Sequence, residues 1–306
     1  MPSLKRLRYL VAVAETLHFR RAAVLCNISQ PTLSGQLQEL EERLGVQLVE
    51  RSRSRVVLTP IGKEIAARAK RILSDVNDIV EMAKYGGAPF GGTVRVGVLP
   101  TIGPYLLPHL LPDLHRTYPY LKLYLRERVT QTLEEGLHDG TFDALLTPLP
   151  ISGVDTVSVA LYREPMVVTL PADHPLVHKT VIERNDFKGE TVLALEPGHR
   201  LYEQVRDLCA QFGATLSLDF GGTSLDTLRL MVGMGMGISL LPALYARSEI
   251  PKDQNVVMRP LRNRPPSRVI GMTWRQQSAR AAEFSILADL FQRILSEKVP
   301  EVIPVR

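Results

Sequence analysis

One long, narrow apolar stripe constrains the fold of this chain more than any other feature. Between Pro60 and Lys84, apolar residues recur every three or four positions, close to the 3.5-residue repeat of a coiled-coil seam. So narrow a stripe on so long a helix is covered more completely by a second copy of the same helix than by a small domain. The pattern predicts a linker and dimerisation helix that runs from Pro60 to about Lys84, within a linker segment at 61–90, and packing against its own chain is the alternative. The seam residues would be Ile65, Ile72 and Ile79.

The stripe also separates two parts of different charge. Residues 1–90 carry 14 Lys/Arg and 9 Asp/Glu, whereas residues 91–306 carry 23 of each. The whole net charge of +5 therefore lies in the N-terminal part. A small basic module joined to a larger neutral one indicates a polyanion as partner of the first and a different role for the second.

Composition excludes several classes of protein. With 45% hydrophobic and 23% charged residues in 306, the chain is typical of a globular protein rather than a disordered or fibrous one. Its two cysteines, Cys26 and Cys209, form neither a disulfide framework nor a metal cluster, which favours a reducing compartment. No secretory signal and no apolar run of about 18 residues occurs. We therefore expect a cytoplasmic protein without a metal or other cofactor.

The N-terminal module shows the spacing of a small helical domain. Apolar positions predict a first helix at 4–15 and a second at 19–25. Ser29 can cap a third helix with Pro31 in its first turn, and the apolar stripe of that helix ends at Gly45. Two short helices joined by a tight turn form a helix-turn-helix.

The second helix of such a motif contacts base edges with its N-terminal residues. Strands predicted at 46–49 and 56–58 flank a loop with three arginines, which suits phosphates or a minor groove. Helix capping by Ser29 and Thr32, and an arginine loop that is merely solvated, are the plainer alternatives. The residues expected to contact DNA are Arg20, Arg21, Ser29, Gln30, Pro31, Thr32, Ser34, Gln36, Arg51, Arg53 and Arg55.

The C-terminal part alternates strand-like and helix-like segments, with Gly and Pro at the joins. This alternation predicts an α/β fold of parallel sheets with helices on both faces, which binds ligands beyond the carboxyl ends of the strands. Hydroxyl groups at strand ends and helix starts would bind a small polar or anionic ligand there, or else only cap helices. These candidate cleft residues are Pro100, Thr101, Thr130, Thr223 and Ser224.

Signatures of enzymes are absent from the sequence. No Gly-x-Gly-x-x-Gly after a strand, no phosphate loop, no His-Glu-x-x-His and no Gly-x-Ser-x-Gly occurs. His109 and His115 lie six residues apart, which is a poor spacing for a metal. We expect a protein that is not an enzyme. A two-lobed ligand-binding protein without a regulatory role stays the alternative, although it would have no use for a basic N-terminal module.

Motifs along nearly the whole chain resemble those of LysR-type transcriptional regulators. They lie at 19–23, 29–34, 40–46, 58–62, 97–108, 164–166, 173–175, 223–229 and 237–242. The motifs after residue 97 are similar to the peroxide-sensing OxyR branch of that family. The resemblance implies a sequence-specific DNA-binding transcriptional regulator that forms a homodimer or homotetramer, with RNA polymerase and a small anionic effector as further partners.

The resemblance also implies a domain organisation. A winged helix-turn-helix would be followed by the linker helix and by an effector-binding regulatory domain of two Rossmann-like subdomains, of periplasmic-binding-protein type. The expected bounds are 1–60 for the winged helix, 61–90 for the linker, about 91–162 and 267–306 for subdomain I, and about 163–266 for subdomain II.

One departure from the OxyR-like pattern concerns the redox switch. In that branch a reactive cysteine follows a Gly-His pair and a second cysteine lies nine positions later. Here Arg200 follows Gly198 and His199, and Cys209 stands at the second position. A sulfenate-to-disulfide switch needs a low-pKa thiolate and a resolving partner, and an arginine provides neither. We therefore expect no intramolecular disulfide switch, and leave open whether Cys209 alone responds to peroxide or is a buried, inert thiol.

Arg200 puts a permanent cation in the predicted cleft, beside His199. It could bind an anionic effector, or pair with Glu196 or Glu203 and hold one conformation without an effector. A solvated surface arginine is the third possibility.

Overall fold

The computed structural model describes residues 2–51, 56–84, 90–151, 155–222, 224–262 and 265–305. It begins with three helices, α1 (Leu4–Thr16), α2 (Phe19–Leu25) and α3 (Gln30–Leu44). A two-stranded antiparallel hairpin of β1 (Val49–Arg51) and β2 (Val56–Leu58) follows. The order of these elements is that of a winged helix-turn-helix.

One apolar core holds the three helices together. The Ser29 hydroxyl caps α3 by accepting a hydrogen bond from the Thr32 backbone N at 3.3 Å, and Gly45 ends the helix with a φ of 69°. The small Ala22 and Ala23 are buried in α2, which lets the neighbouring helices approach closely. The other buried residues of this core are Tyr9, Leu10, Ala12, Val13, Cys26, Leu33, Leu37, Leu40, Leu48, Val49 and Ala66.

Strand β1 begins three residues later than the sequence pattern predicts. The Glu41 Oε1 atom accepts hydrogen bonds from the backbone N of Leu48 at 2.8 Å and of Val49 at 3.0 Å. The Leu48 carbonyl accepts from the backbone N of Thr59 at 3.0 Å. Because Glu41 on α3 takes the backbone N of Leu48, only the Leu48 carbonyl continues the pairing, at Thr59, and residues 46–48 are not part of β1.

A 25-residue helix, α4 (Pro60–Lys84), leaves the hairpin with the bounds that the apolar stripe predicts. The Thr59 hydroxyl caps it by accepting from the Gly62 backbone N at 2.9 Å. A Cβ atom at Gly62 would lie 2.0 Å from the Leu48 carbonyl oxygen, so only glycine fits this contact between helix and hairpin. Helix α4 packs along α1, and Ile65 and Ala66 of its first half contribute to the core of the winged helix.

The remaining described residues form strands and helices in alternation. The first set is β3 (Gly92–Val98), α5 (Gly103–Thr117), β4 (Leu121–Glu127), α6 (Thr130–His138), β5 (Ala144–Pro148) and β6 (Thr156–Pro171). The second set is β7 (Thr191–Leu195), α7 (Arg200–Phe212), β8 (Thr215–Gly222), α8 (Leu225–Gly233), β9 (Ile238–Pro242), α9 (Ala243–Glu249) and β10 (Val256–Arg259). The chain ends with β11 (Ser267–Arg275), α10 (Ala281–Lys298) and β12 (Ile303–Pro304).

Two apolar cores divide these elements into two lobes. The core of lobe I draws mainly on residues 90–162 and 270–302, and the core of lobe II on residues 166–261. Within the described residues, one ten-stranded sheet runs through both lobes in the order β4-β3-β5-β11-β6-β9-β7-β8, with β10 and β12 also paired to β6. No described helix is both long and apolar enough to cross a membrane.

The sheet is mixed, whereas the alternation of segments predicts parallel pairing. Strand β3 is parallel to β4 and β5, and β7 is parallel to β8 and β9, as expected. Strands β6 and β11 are antiparallel to each other and to their other neighbours. The reason is topological: β6 carries the chain from lobe I into lobe II, and β11 brings it back.

Candidate nucleic-acid interface and inter-lobe cleft

The start of α3 presents the predicted polar residues on the surface. Gln30, Pro31 and Thr32 are exposed. The Ser29 and Thr32 hydroxyls lie 2.7 Å apart, so both are engaged in the helix cap while they stay exposed. Ser34 and Gln36 are half-buried.

Gln36 also has partners within the domain. Its Oε1 atom accepts from the Arg6 Nε atom at 3.2 Å, and its Nε2 atom donates to Glu39 at 3.3 Å. Gln36 therefore ties α1 to α3 in this structure, a role that the sequence pattern does not reveal.

The predicted arginine contacts divide into two groups. Arg20 and Arg21 are exposed on α2, and neither forms an ion pair with another residue in the part of the chain that the structure describes. They are cations available to phosphates. Arg51 is the last residue of β1. Arg53 and Arg55 lie outside the described residues.

The predicted seam on α4 is mostly uncovered in the single chain. The exposed fraction is 44% for Ile72 and 65% for Ile79. Ile65 instead packs against the core of its own winged helix. Ile65 thus lies against its own winged helix, whereas Ile72 and Ile79 are exposed in the single chain.

Four of the predicted cleft residues meet between the lobes. Thr101, Thr130, His199 and Arg200 line one cavity of about 10 Å³. Pro100 is exposed and is outside this lining. The Ser224 hydroxyl accepts from the Thr227 backbone N at 3.2 Å and caps α8, which is the plainer alternative. Thr223 lies outside the described residues.

The guanidinium of Arg268 fills the cleft next to Thr101. Its Nη1 atom donates to the Thr101 hydroxyl at 2.9 Å and its Nη2 atom to the Thr101 carbonyl at 2.8 Å. Its Nε atom donates to the Glu164 Oε2 atom at 2.8 Å, and the other Glu164 oxygen accepts from the Leu244 backbone N at 3.0 Å. Neither Arg268 nor Glu164 is among the cleft residues that the sequence motifs predict. The signal that could have found them is their position in the two-residue alternation of buried apolar residues, with Glu164 between Tyr162 and Met166 and Arg268 before Ile270.

Arg200 makes a contact between the lobes. It is the first residue of α7 in lobe II, and its Nη1 atom donates to the carbonyl of Pro148, the last residue of β5 in lobe I, at 3.0 Å. Of the three alternatives for Arg200, the pairing with Glu196 or Glu203 does not occur among the described ion pairs. Glu203 lies one turn along the helix and pairs with Arg206, and Glu196 lies 3.9 Å from the His199 Nε2 atom.

Neither cysteine is placed for thiol chemistry. Cys209 lies on α7 and is buried in the core of lobe II, where desolvation raises the pKa of its thiol to about 11. Cys26 is buried in the core of the winged helix. The two thiols therefore belong to separate cores. Among the described residues, no group of three or more His, Cys, Asp and Glu side chains is arranged to hold a metal ion.

Comparison with known proteins bears on both halves of the chain. Residues 4–63 match the family model of bacterial regulatory helix-turn-helix proteins of the lysR family, and residues 87–296 match that of the LysR substrate binding domain. The Escherichia coli K12 protein named DNA-binding transcriptional dual regulator OxyR is 41% identical over 287 residues, which cover 94% of each chain. A probable hydrogen peroxide-inducible genes activator from Streptomyces viridosporus is 38% identical over 100% of this chain and 96% of its own.

Solved structures agree with these matches. A full-length OxyR variant from Pseudomonas aeruginosa superposes with a TM-score of 0.80 at 37% identity, over 95% of each chain. A winged helix-turn-helix, a long helix and a two-lobed domain in this order define a DNA-binding transcriptional regulator. The chain belongs to the LysR family of these regulators, and its scaffold is OxyR-like. The alternative of a ligand-binding protein without a regulatory role is therefore wrong.

Proposed function

We propose that this regulator controls DNA binding through the relative position of its two lobes, and that Arg200 holds the lobes together by a hydrogen bond. The observation that carries the proposal is the hydrogen bond from Arg200 in lobe II to the Pro148 carbonyl in lobe I. A charged donor on a neutral acceptor forms a stronger hydrogen bond than a neutral pair does. The contact needs no oxidant and no second thiol.

The size of the cleft favours an internal contact between the lobes, rather than a bound metabolite, in this conformation. A cavity of about 10 Å³ has room for one water molecule at most, whereas pockets for metabolites measure about 300–1,000 Å³. The Arg268 guanidinium already takes up the hydrogen-bonding groups of Thr101. An anionic effector of metabolite size would bind only after the lobes separate, and Arg200 would then be free to meet it.

The state of Cys209 disfavours the alternative of a one-cysteine peroxide sensor. Oxidation by peroxide proceeds through the thiolate. A thiol with a pKa of about 11 is almost entirely protonated near neutral pH, and its burial also restricts the access of peroxide.

We propose further that the winged helix meets DNA through the exposed residues of α2 and the start of α3, within the expected bounds of 1–60. The protein would act as a homodimer or homotetramer through α4, together with RNA polymerase as a partner. The protein would be cytoplasmic, where duplex DNA is available. It would have no enzymatic activity of its own. The DNA-binding part of the proposal is supported by the family match of the winged helix and by the similarity to a DNA-binding transcriptional regulator.

The test is a footprint on a two-half-site operator without any added ligand. The Arg200→Ala variant removes the contact with Pro148 and is expected to alter the extent of the footprint on its own. The Arg206→Ala variant is the matched control, because Arg206 lies on the same helix and pairs with its neighbours Glu203 and Asp207 within lobe II. An unchanged Arg200→Ala footprint without ligand, together with the loss of a ligand-dependent change, would show that Arg200 anchors an effector instead.

A further inference from the structure

One lysine of α4 contacts both the winged helix and lobe I. The Lys70 Nζ atom lies 3.2 Å from the Glu15 Oε1 atom of α1 and 3.3 Å from the Asp139 Oδ2 atom at the end of α6. The exposed fraction of the Lys70 side chain is 26%, so the ion pairs are partly shielded from solvent. The two carboxylates belong to parts of the chain more than 120 residues apart in sequence.

On the lobe I side, Asp139 belongs to a turn that is fixed to the lobe. Its Oδ1 atom accepts hydrogen bonds from the backbone N of Thr141 at 2.8 Å and from the Thr141 hydroxyl at 2.5 Å. The Arg275 guanidinium donates to the carbonyls of Leu137 at 2.8 Å and Phe142 at 2.7 Å, on either side of the turn. Because Phe142 is buried in the lobe I core, the turn moves with lobe I as one body.

The backbone of the same turn lies directly against α4. Gly140 has a φ of 82°, and a Cβ atom there would lie 3.2 Å from the Arg71 Cα atom. The linker helix and lobe I therefore touch through a close backbone contact as well as through the Lys70 ion pair.

On the winged-helix side, Glu15 lies in the last turn of α1. Ala12 and Val13, just before Glu15, are buried in the core of the winged helix. Glu15 therefore moves with the winged helix-turn-helix of residues 1–60, which we call the DNA-reading head. Lys70 thus joins two bodies, each of which has its own core.

We infer that the Lys70 cluster, made of Glu15, Lys70 and Asp139, is a charged contact through which lobe I positions the DNA-reading head. The inference rests on the proposed function only in assuming that the regulatory domain influences DNA binding. A shift of lobe I moves Asp139, and with it the Lys70 ammonium, so the ion pair between Lys70 and Glu15 changes. In an oligomer this sets the angle and spacing of two heads, while the base-reading surface of each head stays the same.

Affinities for a two-half-site operator and for a single half-site separate a change in the arrangement of the heads from a change in the base-reading surface of one head. The Asp139→Asn and Lys70→Met variants are each expected to bind a two-half-site operator about two- to fivefold more weakly, the range for partly exposed ion pairs. Each variant is expected to bind a single half-site with unchanged affinity, because the head itself is intact. Both variants break the same ion pair between Lys70 and Asp139. The double variant should therefore bind the two-half-site operator no more weakly than the Lys70→Met variant does.

Two control variants remove the same charges elsewhere. Arg68→Met takes a cation from an exposed position of α4, and Asp289→Asn takes an anion from an exposed position of α10 in lobe I. Both should leave the affinity for the two-half-site operator unchanged. Equal affinity of Asp139→Asn and the wild type for that operator, or additive effects of the two cluster variants, would overturn the inference.

Parallel measurement of Arg200→Ala distinguishes this inference from the proposed function. An altered footprint for Asp139→Asn alone would support the Lys70 cluster and reject the Arg200 lock. An altered footprint for Arg200→Ala alone would support the lock and reject the cluster.

Discussion

Arg268 and Glu164 form an ion pair across the two strands that join the lobes. The residues are register partners in β11 and β6, and only 3% and 1% of their side chains are exposed. Both carboxylate oxygens and three guanidinium nitrogens have hydrogen-bond partners. This pairing satisfies two charges that would otherwise be very costly to bury.

The Glu164→Gln variant is expected to be about 3–5 kcal/mol less stable than the wild type, because it leaves the buried Arg268 charge uncompensated. Urea denaturation followed by circular dichroism measures the change. The Lys252→Gln variant is the control, because its ion pair with Glu249 lies at the surface with the lysine side chain 67% exposed. That change should cost less than about 1 kcal/mol. Equal stability of both variants would contradict the prediction.

Cys209 should react with iodoacetamide very slowly at pH 8 in the folded protein. Burial raises the pKa of its thiol to about 11, so the thiolate becomes abundant only as the pH approaches that value. The rate of alkylation, followed by mass spectrometry, should rise steadily between pH 8 and pH 11. Urea-unfolded protein is the reference, and there the same cysteine should react readily at pH 8. Fast alkylation of the folded protein at pH 8 would show that the thiol is accessible.

Peptide mapping after treatment with peroxide should recover Cys26 and Cys209 without a bond between them, since each lies in a separate core. A stoichiometric disulfide between them, with an altered footprint, would contradict this. The Arg200→Cys variant tests whether the scaffold can form a disulfide with Cys209 under peroxide. A cysteine at the start of α7 would have its thiol pKa lowered by the helix N-terminus.

Arg20→Ala should weaken binding to all DNA sequences alike and reduce the dependence of log Kd on log salt by about 1, because one phosphate contact is lost. Gln30→Ala should instead relax the sequence preference and leave the salt dependence unchanged. Titrations of operator and random duplexes over a salt series measure both quantities. An identical salt slope for Arg20→Ala and the wild type would remove Arg20 from the set of phosphate contacts.

Gly62→Ala should destabilise the winged helix, because the new methyl group would meet the Leu48 carbonyl oxygen at 2.0 Å. The expected results are a lower Tm and weaker DNA binding. Gly35→Ala is a matched control for stability: Gly35 lies in α3 with open space around it, and alanine there should stabilise the helix by about 0.5–1 kcal/mol. If Gly62→Ala melted at the same temperature as the wild type, the hairpin would have to be able to move aside.

Ile72→Asp should dissociate the oligomer, because it places an unpaired charge in the proposed seam of α4. Light scattering measures the mass of the assembly. Asn77→Asp adds the same charge at an exposed position on another face of the helix and should leave the mass unchanged. An intact assembly of the Ile72→Asp protein, still bound normally to two half-sites, would speak against the seam.

Local sequence signals predict the local elements of this structure well. The caps at Ser29 and Thr59 and the stripe of α4 place those helices to within a residue, because capping and apolar periodicity act over short distances. The Glu41 bonds to Leu48 and Val49 depend on how the chain folds back, so the start of β1 was misplaced.

The cleft was predicted only in part, for the same reason. Thr101, Thr130, His199 and Arg200 were found from strand ends, helix starts and a family motif. The partner of Arg200 is a backbone carbonyl of Pro148, and no side-chain pattern marks such an acceptor. The Arg268 to Thr101 contact joins residues 167 positions apart in sequence, which periodicity cannot relate.

Strand β6 passes from lobe I to lobe II without a break, and it is paired with β11 in the first and with β9 and β10 in the second. An extended strand with its ladder of hydrogen bonds cannot lengthen, so the lobes cannot simply slide apart. A movement of one lobe relative to the other that keeps this pairing would therefore have to be a rotation about the two strands that join them, and a signal carried by it would change an angle rather than a distance.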